Sequence, residues 1–507
     1  MSEQTAEDVR TEKLKKIKDL KNKGLNPYSS YSFDISHRIS DLIDEFESKL
    51  EAEEQDNKAA VSIAGRVISK RWMGGIAFMQ LADESGVLQL YIRQDDLDKE
   101  DFEYIRQYID TGDIVGIKGY MCKTKTGELS VLVDSAELLS KSLTGLASKH
   151  HSLKDVELKY RNRSLDMAAN QQSKETLKKR FVLTQAIRSF MVEEGFLEVE
   201  TPITQVTYGG AEAKPFITHH NKLEMDMYLR VAPEQYLKRL LAGGMEAVFE
   251  IGKSFRNEGI DRTHNPEFTM LEAYRAYEDY EYAMDLMERL VEAVAKQVFG
   301  MTKFTYGEYE IDFKRPWQKI RLKDALKELA DIDVDQMSDK ELFNQVAKLE
   351  KEVEVGSRGE AILVLFEERC ENKLIQPTHV IGYPKESTPF CKVDRNDPEL
   401  IERFESFVAG EEIANAYSEL NDPILQRSLL EEQVQRKAAG AEETWGEVDE
   451  DFLEAMELGM PPAAGIGIGI DRLSMIMLGQ ESIRDIIYFP TMKPKNATSK
   501  KSINNTN

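Results

Sequence analysis

The chain has 507 residues, a formal net charge of −24 and a pI near 5.0. That length allows two or more domains and at least one large core, while so acidic an exterior excludes polyanion binding through the whole surface and leaves only local nucleic-acid contacts. Cys122, Cys370 and Cys391 are far apart without a CxxC, no stretch of about eighteen apolar residues occurs, and residues 1–10 are polar and acidic; a disulfide framework, a structural zinc site, a membrane helix and a secretory leader are not expected, and a reducing cytoplasm is.

Residues 8–24 set Leu14, Ile17 and Leu20 among Lys13, Lys15, Lys16, Lys18, Lys21 and Lys23 and stop at Gly24. This predicts a basic amphipathic helix within an N-terminal extension, 1–59. Its lysines are equally a solvated face or a dock for a phosphate backbone. Alternating runs follow at 61–68, 77–81, 87–92, 113–122 and 128–133, with turns at Gly86 and Thr126-Gly127 and a helical segment near 97–109. Five strands with a helix between the third and fourth are the plan of an OB-fold barrel, here 60–145. Phe78, Gln89 and Tyr91 are spaced to face outward, with Arg66, Lys70 and Arg71 close by. Such a face stacks the bases of a single strand, or is an ordinary barrel exterior.

A linker is expected over 146–170. Leu177, Phe181, Ala186, Phe190 and Met191 then recur at helical spacing as far as Gly195, and a strand over 196–201 is stopped by Pro202. Helix and strand together suit plain core or a subunit interface. Next comes Phe255-Arg256-Asn257-Glu258, a polar turn, and His264-Asn265-Pro266-Glu267-Phe268. Strand parity puts Arg256 and Glu258 on one face with Glu250 and Gly252, and puts Phe268, Met270, Glu272 and Tyr274 on one face of the following strand. Desolvated charge of this kind is costly unless a partner meets it, and a ligand carrying both signs would do so. Residues 320–375 read as an inserted helical module, and 493–507 as a disordered tail.

Two further arrays follow. Asn415, Tyr417 and Glu419 share one strand face, opposite Ala414, Ala416 and Ser418, and Glu412 joins them only through a bulge. Glu412 and Glu419 are oxygen ligands suited to Mg²⁺, or solvated glutamates of an edge strand. In Gly465-Ile466-Gly467-Ile468-Gly469-Ile470-Asp471-Arg472 the glycines line one face and the isoleucines the other, which leaves bare backbone for a flat ligand. Asp471 is the expected N-cap of the next helix, with Arg472 in its first turn. No GKS or GKT follows and GxGxxG is not completed, so neither a P-loop nor a dinucleotide fingerprint is present.

Together these arrays resemble the class II aminoacyl-tRNA synthetases and, within them, the lysine enzymes. The segment 196–202 resembles motif 1, 255–268 motif 2 and 465–472 motif 3; 208–221, 228–239 and 412–422 carry similarity to the lysyl enzymes, and 65–91 to their anticodon domain. The resemblance implies an α+β protein, an OB-fold β-barrel followed by a catalytic domain over 171–492 built on an antiparallel sheet flanked by helices. It implies lysyl-adenylate formation from ATP and L-lysine, then transfer to tRNA(Lys), with catalysis by positioning and charge. Carried over by position, Arg256 and Arg472 are catalytic. ATP falls to Arg256, Glu258, His264, Asn265, Phe268, Glu412 and Arg472, lysine to Gly210, Glu234, Glu272, Tyr274, Asn415, Tyr417 and Glu419, and Mg²⁺ to Glu412 and Glu419. The anticodon falls to Arg71, Phe78 and Gln89, and a homodimer forms through 176–202. Departures from the family pattern are Met73-Gly74-Gly75, Ser387-Thr388-Pro389-Phe390 and Lys149-His150-His151-Ser152. The rival readings are an aspartyl- or asparaginyl-type enzyme, a silent paralogue that binds nucleic acid, and a ligase that modifies protein with lysine.

Overall fold

The computed structural model describes residues 6–144, 156–211, 213–349, 355–438 and 448–494. They fall into two compact units, Met1–Gln171 and Gln172–Asn507.

The first unit holds helices Ala6–Asn22 and Ile39–Phe46 and five strands, β1 (Gln55–Met73), β2 (Ile76–Ala82), β3 (Val87–Arg93), β4 (Ile114–Lys123) and β5 (Leu129–Ser140). The strands close into a barrel in the order β1-β2-β3-β5-β4, with helix Lys99–Tyr108 between β3 and β4. Alternation drives closure: Val61, Ile63, Val67, Ala77, Met79, Leu81, Leu88, Leu90 and Ile92 all turn into one core. At Gly119 a Cβ would stand 2.1 Å from the Leu132 carbonyl oxygen, so only glycine allows that close crossing of β4 and β5. β1 begins at Gln55, earlier than its alternation suggests, because an irregularity between Asp56 and Ala60 breaks the period. β5 runs on to Ser140 past the exposed Asp134 and Ser135, which read as loop residues.

The N-terminal helix buries Leu20 of its expected apolar face, but lysines share the inward side. Lys13 is buried and donates to the Thr111 carbonyl at 2.8 Å, and Lys16 pairs with Asp110 at 2.8 Å, while Leu14 is exposed. Lys15, Lys18 and Lys21 are the exposed lysines of that helix. Two helices, Val156–Arg161 and Arg163–Ala169, occupy the later part of the expected linker; its earlier part, with Lys149 to Ser152, and the tail from 495 lie outside the described residues.

In the second unit, helix Gln171–Glu193 leads to β6 (Leu197–Glu198) and a three-stranded sheet of β7 (Thr204–Gln205), β8 (Ile217–His220) and β9 (Met225–Leu229). Helix Glu234–Ala242 follows, then β10 (Ala247–Phe255), β11 (Glu267–Ala276), helix Tyr280–Phe299, the hairpin β12 (Lys303–Tyr306) and β13 (Tyr309–Asp312), and β14 (Gln318–Arg321). Beyond helices Leu322–Ala330, Asp339–Val346 and Arg358–Arg369 come β15 (Thr378–Pro384), β16 (Leu400–Val408), β17 (Glu411–Ser418) and β18 (Ala463–Gly469), then helix Ile470–Met477. One eight-stranded sheet runs β14-β15-β16-β17-β18-β11-β10-β6. Its parallel pairs, β14 with β15 and β10 with β6, lie at the two edges, and the interior is antiparallel. The strand expected over 196–201 is paired over Leu197–Glu198 alone, where it meets Val248 and Phe249.

One sheet face is buried against helices: Ile466, Ile468 and Ile470 pack with Leu183, Ile187, Met191, Met287, Leu290 and Val294. The helices within 322–369 bury a separate cluster that includes Leu326, Leu342, Leu365 and Phe366, which is the module expected as an insertion. The opposite face of the central strands stays open.

Candidate active site

β18 lies between β11 and β17. Gly465 is opposite Tyr274 on one side and Tyr417 on the other, Gly467 is opposite Glu272 and Asn415, and Gly469 is opposite Met270. Bare backbone therefore forms a floor between two rows of functional side chains, under a cavity of about 360 Å³. The floor is as low as chemistry permits. A Cβ at Gly465 would stand 1.8 Å from Glu419 Oε1 and 2.5 Å from the Tyr274 ring.

At one end of the cavity are Arg256, Phe268, His264 and Arg472. Arg256 sits just past the end of β10 rather than within it, its N–H donating to the Pro266 carbonyl at 2.9 Å. Its Cζ lies over the Phe268 ring at 5.1 Å, and its Nε is buried without a partner. Glu250, expected on the same face, turns away into an ion pair with Arg230 at 2.5 Å. Glu258 lines the cavity from the exposed turn. Asn265 is tied inward, donating to the Glu267 carbonyl at 2.6 Å and accepting from the Thr491 N–H at 3.2 Å, so it braces the turn.

Arg472 donates to the Glu412 carbonyl at 2.7 Å, and its Nη2 is 3.1 Å from His264 Nε2. Asp471 is not the cap of its helix; Gly469 occupies that position. Asp471 is instead buried in the first turn, where it accepts from Arg180 at 2.6 Å and from the Thr269 N–H at 2.8 Å. That anchors the Arg472 helix to both helix Gln171–Glu193 and β11.

The bulge expected at Glu412 is present: Ser406 pairs with Ala414 and Phe407 with Glu412, so Ile413 is skipped. The two carboxylates expected to hold a metal each carry an ion pair. Glu412 and Glu419 are seven residues apart along an extended strand, roughly 20 Å of backbone, and they meet different cations, Arg472 at 3.5 Å and Lys238 at 2.5 Å. The carboxylate the fold brings to Glu412 is Glu405, which lines the same cavity. Burial raises the Glu405 carboxyl, the Arg403 charge opposes this, and Glu412 adds to it. Glu371, half-buried, is pushed up to about 8 by burial and then by the charges of Glu405, Glu367 and Glu412. Such mutual repulsion between carboxylates is what a divalent cation relieves. Among the described residues no group of three or more His, Cys, Asp or Glu could hold a metal, and the two-carboxylate pair fits Mg²⁺, which takes its remaining ligands from phosphate and water.

The other end is lined by Gly210, Glu234, Glu272, Tyr274, Asn415 and Tyr417. Gly210 has φ +92°, and a Cβ there would stand 3.0 Å from the Glu234 Cβ. The Tyr274 hydroxyl donates to Glu272 at 3.1 Å. Burial, followed by the Glu234 charge, pushes the Glu272 carboxyl up to about 8. Glu419 is fully buried, and its Oε1 accepts no hydrogen bond. Between Glu234 and Glu419 sits Lys238, itself fully buried, with its ammonium 2.5 Å from each.

The sequence reading leaves out Lys238, Arg403 and Glu405. Lys238 had a faint signal, four residues after Glu234 on one helix face. Arg403 and Glu405 had another, opposite charges two apart in an apolar strand; they pair with each other, and Arg403 Nε donates to the Asn415 amide oxygen at 3.2 Å.

On the barrel, a separate surface gathers Arg71, Phe78, Tyr91 and Gln89. Phe78 and Tyr91 stack at 5.1 Å, Arg71 lies 6.0 Å from the Phe78 ring, and Gln89 donates to Ser130 at 2.9 Å. Arg66 and Lys70 are not part of it. Arg66 donates to the Gly112 carbonyl, and Lys70 donates to Ile105, Arg106 and Ile109 carbonyls at the end of helix Lys99–Tyr108.

Two family models match the chain: tRNA synthetases class II (D, K and N) over residues 155–493, and the OB-fold nucleic acid binding domain over 61–139. Among curated relatives, the lysine–tRNA ligase of Clostridium novyi (strain NT) is 47% identical over 95% of this chain and 94% of its own length. That of Syntrophomonas wolfei subsp. wolfei is 46% identical over 98% and 99%, and that of Nostoc punctiforme is 45% identical over 97% and 89%.

Proposed function

This chain belongs to the lysine–tRNA ligases among the class II tRNA synthetases, and we propose how its residues divide the ATP-dependent attachment of L-lysine to tRNA(Lys). The lysine carboxylate attacks the α-phosphorus of ATP, the bond to the β-phosphate oxygen breaks, and pyrophosphate leaves lysyl-adenylate behind. A ribose hydroxyl of the tRNA end then attacks the lysyl carbonyl and AMP departs. No protein nucleophile is needed, so the protein's part is position and charge.

Arg256 meets the charge that builds on the α-phosphate, with its unpartnered Nε available. Phe268 and Arg472 hold the adenine between them, for which Arg256 leaves the Phe268 ring; Glu258 takes the amino edge, and His264, beside Arg472, the outer phosphates. Glu405 and Glu412 would hold Mg²⁺, which would supply positive charge to offset that of the phosphates. The lysine ε-ammonium lies against Glu234, Glu419 and Tyr274, its stem along Tyr417, and its α-ammonium against Glu272, Gly210 and Asn415. Arg71, Phe78 and Gln89 receive the anticodon. Helix Gln171–Glu193 pairs with a second copy of the chain, as its exposed Phe181, Val182 and Val192 favour. The free, buried cysteines suit a reducing cytoplasm.

One observation carries the choice of lysine: Glu419, fully buried, keeps an oxygen unpartnered directly over Gly465. A buried acceptor of that kind calls for a donor, which the lysine ammonium supplies. ATP–pyrophosphate exchange with lysine, aspartate and asparagine in turn tests it. Lysine alone stimulates exchange; stimulation by aspartate without lysine overturns the assignment.

A further inference from the structure

A pocket that receives an ammonium contains an ammonium of its own. Lys238 is 0% exposed, with its amine 2.5 Å from Glu234 Oε1 and 2.5 Å from Glu419 Oε2. Of the remaining oxygens, Glu234 Oε2 is 3.7 Å from where a Gly210 Cβ would be and Glu419 Oε1 is 1.8 Å from where a Gly465 Cβ would be; Glu234 and both glycines line the cavity, and Glu419 lies against its floor at Gly465. Each carboxylate therefore gives one oxygen to Lys238 and turns the other toward a glycine of the cavity wall. We infer that Lys238 is a positioning residue, a resident cation that clamps the two carboxylates in register and sets the charge of the lysine receptor.

Cys391 is close enough to feel the Lys238 charge, Tyr274 and Tyr417 are close enough to feel those of Glu234 and Glu419, and the Phe390 ring lies 4.6 Å from the Lys238 amine. Without Lys238, two adjacent carboxylates lack a counter-charge, and the pair takes up a proton that incoming lysine has to displace.

This inference rests on the proposed lysine site, and the test separates the two. ATP–pyrophosphate exchange is measured with wild type, Lys238→Met, Glu234→Gln and the double variant from pH 6.5 to 8.5, with KM for lysine and ATP determined separately. Wild type that responds to aspartate instead of lysine removes the site itself. If wild type responds to lysine, Lys238→Met raises the lysine KM at least tenfold at pH 7, leaves the ATP KM within threefold, and recovers toward high pH. In the Glu234→Gln background, which removes one of the facing carboxylates, the same substitution costs less than threefold. A lysine KM within threefold of wild type overturns the inference, as does a rise that is independent of pH and equal in both backgrounds. Should Lys238→Met fail to fold, the double variant decides: folding with lysine-dependent exchange supports the charge role, and failure to fold assigns Lys238 to packing.

Discussion

Glu272 stands in the cavity with a carboxyl that burial and the Glu234 charge push up to about 8. A raised carboxyl favours the protonated form in the folded, empty protein. Its contribution to stability is therefore complete below the ordinary carboxylate range and is lost as pH climbs to about 8. Thermal melts of the ligand-free protein should fall in temperature between pH 5 and pH 8.5, and Glu272→Gln should flatten that fall. Lysine binding needs the charged form and should tighten over the same window, which calorimetric titration without ATP reads directly. At this scale much of the site was legible, because Glu272, Tyr274, Asn415 and Tyr417 declare themselves as polar residues at strand parity. Glu405 and Lys238 did not. Glu405 matters through its electrostatic coupling to Glu412 on the neighbouring strand, and Lys238 through its ion pair with the distant Glu419; neither relation exists along the chain.

The row of glycines on β18 turns strand geometry into specificity. Gly465→Ala would drive a methyl group into the Glu419 carboxylate and the Tyr274 ring while leaving the Ile466 face intact. Lysine-dependent exchange should drop at least a hundredfold with the melting temperature little changed, as parallel kinetics and melts would reveal. The helix after β18 depends on a buried pair instead. Asp471→Asn leaves Arg180 without its carboxylate, and by the precedent of broken buried pairs about 3 kcal/mol of stability should go, measurable by urea unfolding of wild type and variant. Elements with a clean period, β2, β3, β11 and β18, could be read from the sequence. The strand at 196–201 was also legible but not its shortness, since β6 is limited to the two residues that pair with Val248 and Phe249, and the early start of β1 was hidden by its irregularity.

Across the molecule, the barrel and the catalytic sheet bury separate cores, and the two compact units divide between Gln171 and Gln172. The exposed stripe on helix Gln171–Glu193 is a statement about a second copy. Phe181→Asp with Val182→Asp should shift the sedimenting species from twice the chain mass to a single chain, and a wild type that sediments as one chain would remove the proposed dimer. The position of β18 has one more consequence. The hairpins β10–β11 and β16–β17 arrive early in the sequence as two half-built walls, and the strand that joins them comes about forty-five residues after the second. A chain still on the ribosome, stopped before Ala463, owns both walls and no floor. Ligand recognition thus waits for β18 to join β11 and β17.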